Sequence, residues 1–344
     1  MSKLISLADI HAARERIAST AVRTPLLRLS RARLRMAGWP HLSELMPDIY
    51  LKDESAQPIG SFKLRGAYNK IRSLTPEQLK RGVITYSSGN HAQGVAYAAR
   101  ALGAKAVIVM PENAPRVKRE ATAALGAEIV TVGPASTERK LKAEQLVAEH
   151  GYVMVPPYDD EAIIAGQATC GVEILEQLPN VDLVLSPVSG GGLLSGVATG
   201  IKLASEAAGR EAPKVWGCEP ELSGDAKESF DTKTLVEWPA AKTTRTIADG
   251  LRTQSLGERN FAHILRFVDG IVTVTEDEIR EALRVILKAT GIVAEPSGAV
   301  TLAAALFHRD ELPEAQRVVA IVSGGNLDPD LRAELVEETV EVHA

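Results

Sequence analysis

GVITYSSGNHAQGVAYAARALG, residues 82–103, changes its period once, and that change sets the fold class. Residues 82–86 form a short apolar run that reads as a strand. Ser87-Ser-Gly-Asn-His91 is a polar turn. Residues 92–102 are rich in alanine with apolar positions at helical spacing, and Gly103 supplies a C-cap. The same unit recurs downstream: strand 106–110 stopped by Pro111, helix 116–125 closed by Gly126, strand 128–132, helix 138–149 and strand 152–155. A second series follows, with strand 181–186, the turn Pro187-Val-Ser-Gly-Gly-Gly192, helix 193–208 and strand 214–218. It continues through residues 269–275, which lead into a helix with Thr275 and Glu278 at capping-box spacing, and ends on strand 317–322. Strands alternating with helices predict parallel sheets covered by helices. The expected fold is therefore α/β, with two parallel-sheet α/β domains and the site in the cleft between them. Residues 1–83 and 159–344 make the large domain and 84–158 a small domain inserted into it.

Composition narrows the class. The 344 residues are 45% hydrophobic and 24% charged, which excludes wholesale disorder. Lys and Arg number 39 against 44 Asp and Glu, a net charge of -5 with no basic stripe, so no nucleic-acid partner is expected. The two cysteines, Cys170 and Cys218, form no CxxC, which argues against a disulfide framework or zinc knuckle. No unbroken apolar run is long enough for a membrane span, and residues 1–16 lack a signal-peptide core. A cytoplasmic protein without membrane contact is expected. Residues 31–48, with Gly38, Pro40 and Pro47, read as a surface excursion, and the acidic stretch from Asp328 as a solvated end.

Three glycine- or serine-rich turns, 87–91, 189–192 and 323–326, each follow a predicted strand, and in parallel sheets such ends converge on one site. Ser189-Gly-Gly-Gly192 before a helix can wrap backbone N–H groups around a phosphate, but no Gly-Lys-Ser/Thr follows it, which argues against an NTPase. A dinucleotide fingerprint is the rival: Gly190-x-Gly192, with Ser195 in place of the third glycine and Glu219 as the ribose acid, would mean an NAD-dependent dehydrogenase. Lys63, in Gly60-Ser-Phe-Lys-Leu-Arg-Gly66, decides against it. An amine held beside Phe62 on an apolar surface loses its proton readily and becomes a nucleophile. A phosphate cradle with an activated lysine suggests pyridoxal phosphate.

Ser61-Phe-Lys-Leu-Arg-Gly66, Ser87-Ser-Gly-Asn-His91, Ser189-Gly-Gly-Gly192, Ile247-Ala-Asp-Gly250, Ala294-Glu-Pro296 and Ser323-Gly-Gly-Asn326 occur in that order. Over nearly the whole length, from about Thr24 to Asp328, the chain resembles the tryptophan-synthase-like (fold type II) pyridoxal phosphate enzymes, and among them the serine/threonine dehydratase and serine racemase group. The resemblance implies a tryptophan synthase β-like fold with pyridoxal 5'-phosphate in the cleft. It makes Lys63 the residue that bonds the cofactor, with Phe62 against the ring and Asn90 on the ring hydroxyl. Gly190, Gly191, Gly192 and Leu193 would hold the phosphate, and Ser323 would meet the pyridine nitrogen. Ser87, Ser88, Gly89, Asn90 and His91 would bind the substrate carboxylate, with His91 orienting the loop rather than acting as base, and Ser88 would work on the opposite face of the cofactor in racemases.

The activity implied is dehydration and deamination of small β-hydroxy amino acids, L-threonine and L-serine first, to a 2-oxo acid and ammonia. The alternatives are threo-3-hydroxyaspartate ammonia-lyase and serine racemase. Glu219, Ser223 through its carbonyl, and Asp225 match a divalent site for Mg²⁺, Mn²⁺ or Ca²⁺ of structural or activating role, and a homodimer is implied, with residues 8–19 and 299–307 as possible contact helices or as core. The chain departs from the racemases at Tyr158 and Thr253. Arg139, on a predicted helix, reads either as a solvated arginine or as a partner for a second substrate carboxylate. No C-terminal regulatory domain is expected after residue 344.

Overall fold

The computed structural model describes residues 3–40, 42, 47–87, 89–112, 114, 116–133 and 136–341. Among the described residues ten strands form two sheets. In chain order they are β1 (Leu26–Arg28), β2 (Asp48–Asp53), β3 (Val83–Tyr86), β4 (Ala106–Pro111), β5 (Glu128–Val132), β6 (Val153–Met154), β7 (Leu183–Pro187), β8 (Lys214–Pro220), β9 (Gly270–Val274) and β10 (Arg317–Val322). The larger sheet has the order β1-β2-β10-β7-β8-β9 and the smaller β5-β4-β3-β6. All pairings are parallel except β1 with β2, so this is the α/β architecture of two helix-covered parallel sheets. β10 runs beside β2 with Val318 opposite Ile49 and Val322 opposite Asp53, which joins the first fifty residues to the last strand.

Local chemistry explains the element ends. Thr275 and Glu278 form the expected reciprocal capping box on the helix Glu276–Thr290, and Asp160 caps Glu161–Gln177 by accepting from the Ala162 and Ile163 N–H groups. The strands at the centre of the large sheet, β7 and β10, are buried along almost their whole length, as continuous apolar runs require. The helix Gly192–Ala207 packs on Glu161–Gln177 through small residues. A Cβ on Gly196 would come 2.7 Å from the Ile164 carbonyl, and one on Gly171 2.6 Å from that of Val197. Only glycine allows this approach, and it fixes where the helix Gly192–Ala207 begins.

Two surface expectations hold for most of the described side chains and fail at a few apolar ones. Within 31–48, the helix Arg31–Met36 and the residues after it send Leu34 and Trp39 into the main core that also holds Ile279 and Leu283, with Trp39 Nε1 donating to Glu281; residues 41 and 43–46 lie outside the described set. The acidic tail forms the helix Pro329–Glu341, which buries Leu335 in the same core and pairs Glu334 with Arg280. In both, a few apolar side chains among many charges suffice to dock a segment. The helix Pro296–Phe307 buries every residue from Pro296 to Leu306, so it is core rather than a contact surface.

Candidate active site

The three turns hang from the C-terminal ends of β3, β7 and β10, the edge where parallel sheets place their ligands. Lys63 opens the helix Lys63–Arg72, which is joined to the β10 turn. The Phe62 N–H donates to the Ser323 carbonyl at 3.0 Å, the Gly325 N–H donates to the Gly60 carbonyl at 2.9 Å, and Ser61 bridges Gly324. Asn90, at the end of the β3 turn, accepts from Asn326 Nδ2 at 2.6 Å and donates to Glu295 Oε1 at 2.7 Å. The turn after β7 is reached through Lys63 itself. Its Nζ donates to the Pro157 carbonyl at 2.8 Å, and the neighbouring Tyr158 ring covers Gly190 so closely that a Cβ there would overlap it, while a Cβ on Gly192 would meet the Tyr158 Cβ at 3.0 Å. Lys63, Phe62, Asn90, Gly190, Gly192 and Ser323 are thus brought to one place. Ser88 lies outside the described residues.

The geometry of the β7 turn suits an anion. Gly191 adopts φ +95, in the left-handed region, and the first N–H to find an acceptor one turn back is that of Ser195, bonded to the Gly191 carbonyl at 2.9 Å. The N–H groups before it, Leu193 included, stand at the positive end of a sixteen-residue helix. Ser189 Oγ and Thr253 Oγ1 lie 2.7 Å apart at its mouth. Glu219, which the dinucleotide reading would need on a ribose hydroxyl, and Ser195, which stands in place of its third glycine, are both committed within the fold. Ser195 Oγ bonds the Gly191 carbonyl and Asn260, and buried Glu219 accepts the Lys227 N–H at 2.7 Å.

Electrostatics sort the candidates. Burial lowers the Lys63 ammonium to about 8, only partly opposed by Glu295, so a free amine is within reach at neutral pH. Phe62 flanks it, with Nζ 5.2 Å from the ring centre. Burial and the Lys63 charge lower His91 to about 3, and its Nε2 sits 3.0 Å from the Val155 carbonyl, so His91 is a neutral, committed ring rather than a base. Burial and Asp249 raise Glu295 to about 7 against the pull of Lys118, Asn90 and Lys63. Ser323 Oγ is buried and donates to the Ser297 carbonyl at 3.3 Å, and Ser87 Oγ accepts from the Gly89 N–H at 3.3 Å. Arg139, the candidate for a solvated side chain, is half-buried beside Tyr86, and desolvation lowers its pKa.

At the end of β8, Glu219 and Asp225 approach each other. Glu219 Oε2 and Asp225 Oδ2 are buried with no hydrogen-bond partner, and burial raises both acids, Asp225 to about 7. Ser223 Oγ donates to the Leu251 carbonyl at 2.8 Å, leaving its own carbonyl as the donor it can offer. Among the described residues no group of three or more His, Cys, Asp or Glu side chains could hold a metal, so a cation here would need backbone oxygens and water beside the two carboxylates.

A model of the family described as pyridoxal-phosphate dependent enzyme matches residues 17–324. The chain belongs to the pyridoxal-phosphate dependent enzyme family. This family member is 41% identical over 288 residues to the L-threo-3-hydroxyaspartate ammonia-lyase of Saccharomyces cerevisiae, covering 84% of this chain and 86% of that one. Among solved structures it resembles the T.th. threonine deaminase at 44% identity and TM-score 0.84, covering 94% of this chain and 99% of that one. It resembles maize serine racemase at 34% identity and TM-score 0.87, with 99% of each chain covered. The cofactor of the family fits the residues present: a desolvated amine, a helix N-terminus behind a glycine turn, and a buried hydroxyl on Ser323.

The sequence reading assigned no role to Glu295, Asn326 or Arg65. The first two sit inside quoted motifs, but an acid before Pro296 reads as a helix cap and an asparagine after two glycines as a turn. Arg65 is fully buried, bonded to Glu54 and Glu173 at 2.7–2.8 Å, and those acids are contributed by segments far apart in the chain.

Proposed function

We propose that this enzyme is a pyridoxal phosphate ammonia-lyase that dehydrates and deaminates small β-hydroxy amino acids, L-threonine and L-serine first, to a 2-oxo acid and ammonia. The observation that carries the reading is the Lys63 amine, desolvated to about 8 at the meeting point of the three turns. In this reading Lys63 bonds the cofactor, Phe62 flanks its ring, and Gly190, Gly191, Gly192 and Leu193 hold its phosphate. When bound, the cofactor supplies the electron sink that makes the substrate Cα–H bond acidic. Lys63 Nζ then takes the Cα proton, a role its lowered basicity suits at neutral pH. When the cofactor is bound, Ser323 would offer its pyridine nitrogen a neutral hydroxyl with no charge to keep that nitrogen protonated, an environment that would suit loss of the β-hydroxyl over transamination. Ser87, Gly89 and Asn90 bind the substrate carboxylate, and His91 braces their loop through Val155. Ser88 is assigned the second face, where it would serve racemisation.

One observation favours a second substrate. Arg139 is half-buried beside Tyr86 rather than solvated, and a cation in that setting suits a second carboxylate, as in threo-3-hydroxyaspartate. Glu219, the Ser223 carbonyl and Asp225 are proposed to hold Mg²⁺, Mn²⁺ or Ca²⁺, which would compensate their two orphaned oxygens. The two sheets correspond in this proposal to a large domain, 1–83 and 159–344, and an inserted small one, 84–158. A cytoplasmic homodimer completes it. No helix among the described residues is long and apolar enough to cross a membrane. Edge strand β1 with exposed Leu27 offers a surface for a second copy, to be checked by light scattering.

The test is the visible spectrum of the purified enzyme before and after L-threonine, L-serine and threo-3-hydroxyaspartate, with 2-oxo acid measured in each cuvette. A cofactor band that changes with one of them, together with product, is the expected result. The same band and turnover should vanish in Lys63→Ala. A protein that stays colourless with added pyridoxal phosphate, or full turnover in Lys63→Ala, would overturn the proposal.

A further inference from the structure

Asn90 is held at both ends of its amide. The Ile59 carbonyl can only accept, so the 3.0 Å contact from Asn326 Nδ2 fixes which end of Asn326 is nitrogen. The second N–H of Asn326 then donates to Asn90 Oδ1 at 2.6 Å, which fixes the Asn90 amide in turn. One Asn90 N–H goes to Glu295 Oε1 at 2.7 Å. The oxygen of Asn90 is therefore turned to Asn326 and one of its two N–H groups to Glu295, so the second N–H is the donor left over for a ligand. The backbone makes room for this chain of side chains. Gly60, at φ +73, lies under Asn326, where a Cβ would come 2.5 Å from its Oδ1. A Cβ on Gly324 would come 2.6 Å from Glu295 Oε1 and 3.2 Å from Asn90 Nδ2.

We propose that Asn326 and Glu295 are positioning residues that present Asn90 to the cofactor as a hydrogen-bond donor only, so that the ring oxygen it meets is bound in its ionised form. The inference rests on the reading of this cleft as a pyridoxal phosphate site. Asn326 sets the orientation from one side through Ile59, and Glu295 anchors the nitrogen from the other. Reversing the amide would put the Asn90 nitrogen against the Asn326 nitrogen, a repulsive contact, and the Asn90 oxygen against Glu295 Oε1, a second repulsion whenever that acid is ionised, both in a part-buried place. A free asparagine has no such preference and could equally offer its oxygen to a protonated ring hydroxyl.

The experiment uses the holoenzyme and three variants, Glu295→Gln, Glu295→Ala and Asn326→Asp. Because Asp249, Lys118 and Lys63 all act on Glu295, the pH is held fixed across the set. Two quantities are read: the ratio of the ionised, visible-absorbing form of the cofactor to the protonated, near-ultraviolet form, and the dissociation constant for pyridoxal phosphate. Glu295→Gln keeps an acceptor for Asn90 and is expected to retain the ratio. Glu295→Ala frees the nitrogen and is expected to shift the ratio toward the protonated form and weaken cofactor binding about tenfold. Asn326→Asp turns an acceptor toward Asn90, reverses its amide, and is expected to give the largest shift. If Asn326→Asp does not fold, the two Glu295 variants decide alone. An identical ratio and affinity in wild type, Glu295→Gln and Glu295→Ala would overturn the inference while leaving the site reading intact. A wild-type protein that binds no cofactor would overturn the site reading, and the inference with it, before any variant is made.

Discussion

Replacing Arg65 by methionine should destabilise this protein more at neutral pH than in mild acid, the reverse of the usual carboxylate behaviour. Arg65 is fully buried between Glu54, also fully buried, and Glu173. Burial alone would raise Glu54, but the Arg65 charge and hydrogen bonds, with Lys52 and Thr24, outweigh it and hold the acid at about 2 instead of its ordinary 4.5. That depression corresponds to about 3 kcal/mol at pH 7, present above the unfolded-state value and lost as the pH falls through about 2. In Arg65→Met the largest favourable contributions are gone, Lys52 and Thr24 remain as the smaller ones, and the burial term is undiminished. Glu54 then folds with a raised pKa, so its penalty is largest at pH 7 and shrinks as the pH approaches the unfolded value near 4.5. Breaking a buried pair from one side costs about 3–5 kcal/mol. Urea unfolding followed by far-ultraviolet circular dichroism should therefore show a midpoint lowered by about 1–2 M at pH 7.5 and by clearly less at pH 5.5. Removing both charges, Arg65→Met with Glu54→Gln, should recover part of the loss. A single-variant deficit under about 1 kcal/mol, or one of equal size at both pH values, would refute the account of this cluster.

Three further outcomes follow from the same structure. Gly166→Ala places a Cβ 2.6 Å from the Arg65 carbonyl and from Gly66 Cα, pushing the helix Glu161–Gln177 off the helix that bears Lys63; a loss of about 1–3 kcal/mol in thermal or urea unfolding is expected, with turnover falling alongside it. Cofactor capture by the apo-protein, followed by the growth of visible absorbance after mixing, should accelerate as the pH rises toward about 8 and level off above it, because only the neutral Lys63 amine attacks; a flat profile from pH 6 to 9 would contradict the lowered basicity of that amine. Chelator treatment should lower the melting temperature and added Mg²⁺ or Ca²⁺ restore it, with Asp225→Ala insensitive to both; indifference of the wild type would remove the metal from the proposal.

What was legible in the sequence is what local period and turn chemistry determine. Strand ends were readable because parallel strands are apolar throughout and stop at glycine, serine or proline, so the turns after β3, β7 and β10 could be placed at C-terminal strand ends from the sequence alone, though β3 belongs to the smaller sheet and β7 and β10 to the larger. What stayed hidden depends on partners distant in the chain. Leu34 and Trp39 stand among arginines and a proline, and nothing local says that Ile279 and Leu283 wait to cover them. Arg65 looks like any helical arginine until Glu54 and Glu173 close on it from other elements. The edge strand β1, three residues long, is too short to show a period, and it pairs antiparallel where the rest of its sheet is parallel.

Lys63 and Arg65 show how one helical turn can carry two cations with opposite fates. Both lie at the start of the helix Lys63–Arg72, in the same low-dielectric surroundings. Arg65 keeps its charge because two carboxylates and the Thr169 hydroxyl replace the water it lost. Lys63 is offered a single backbone carbonyl, and the acid that acts on it, Glu295, is itself pushed toward neutrality by burial and Asp249. Desolvation therefore goes uncompensated at Lys63 and compensated two residues later. The proton on the Lys63 amine is held less tightly, while the charge on Arg65 that holds the helix in place stays locked behind it. On this view the Glu54–Arg65–Glu173 cluster is tied to reactivity through geometry alone: any substitution that lets the helix start shift moves Lys63 Nζ away from Pro157 and Phe62, and solvent that reaches the amine restores its proton.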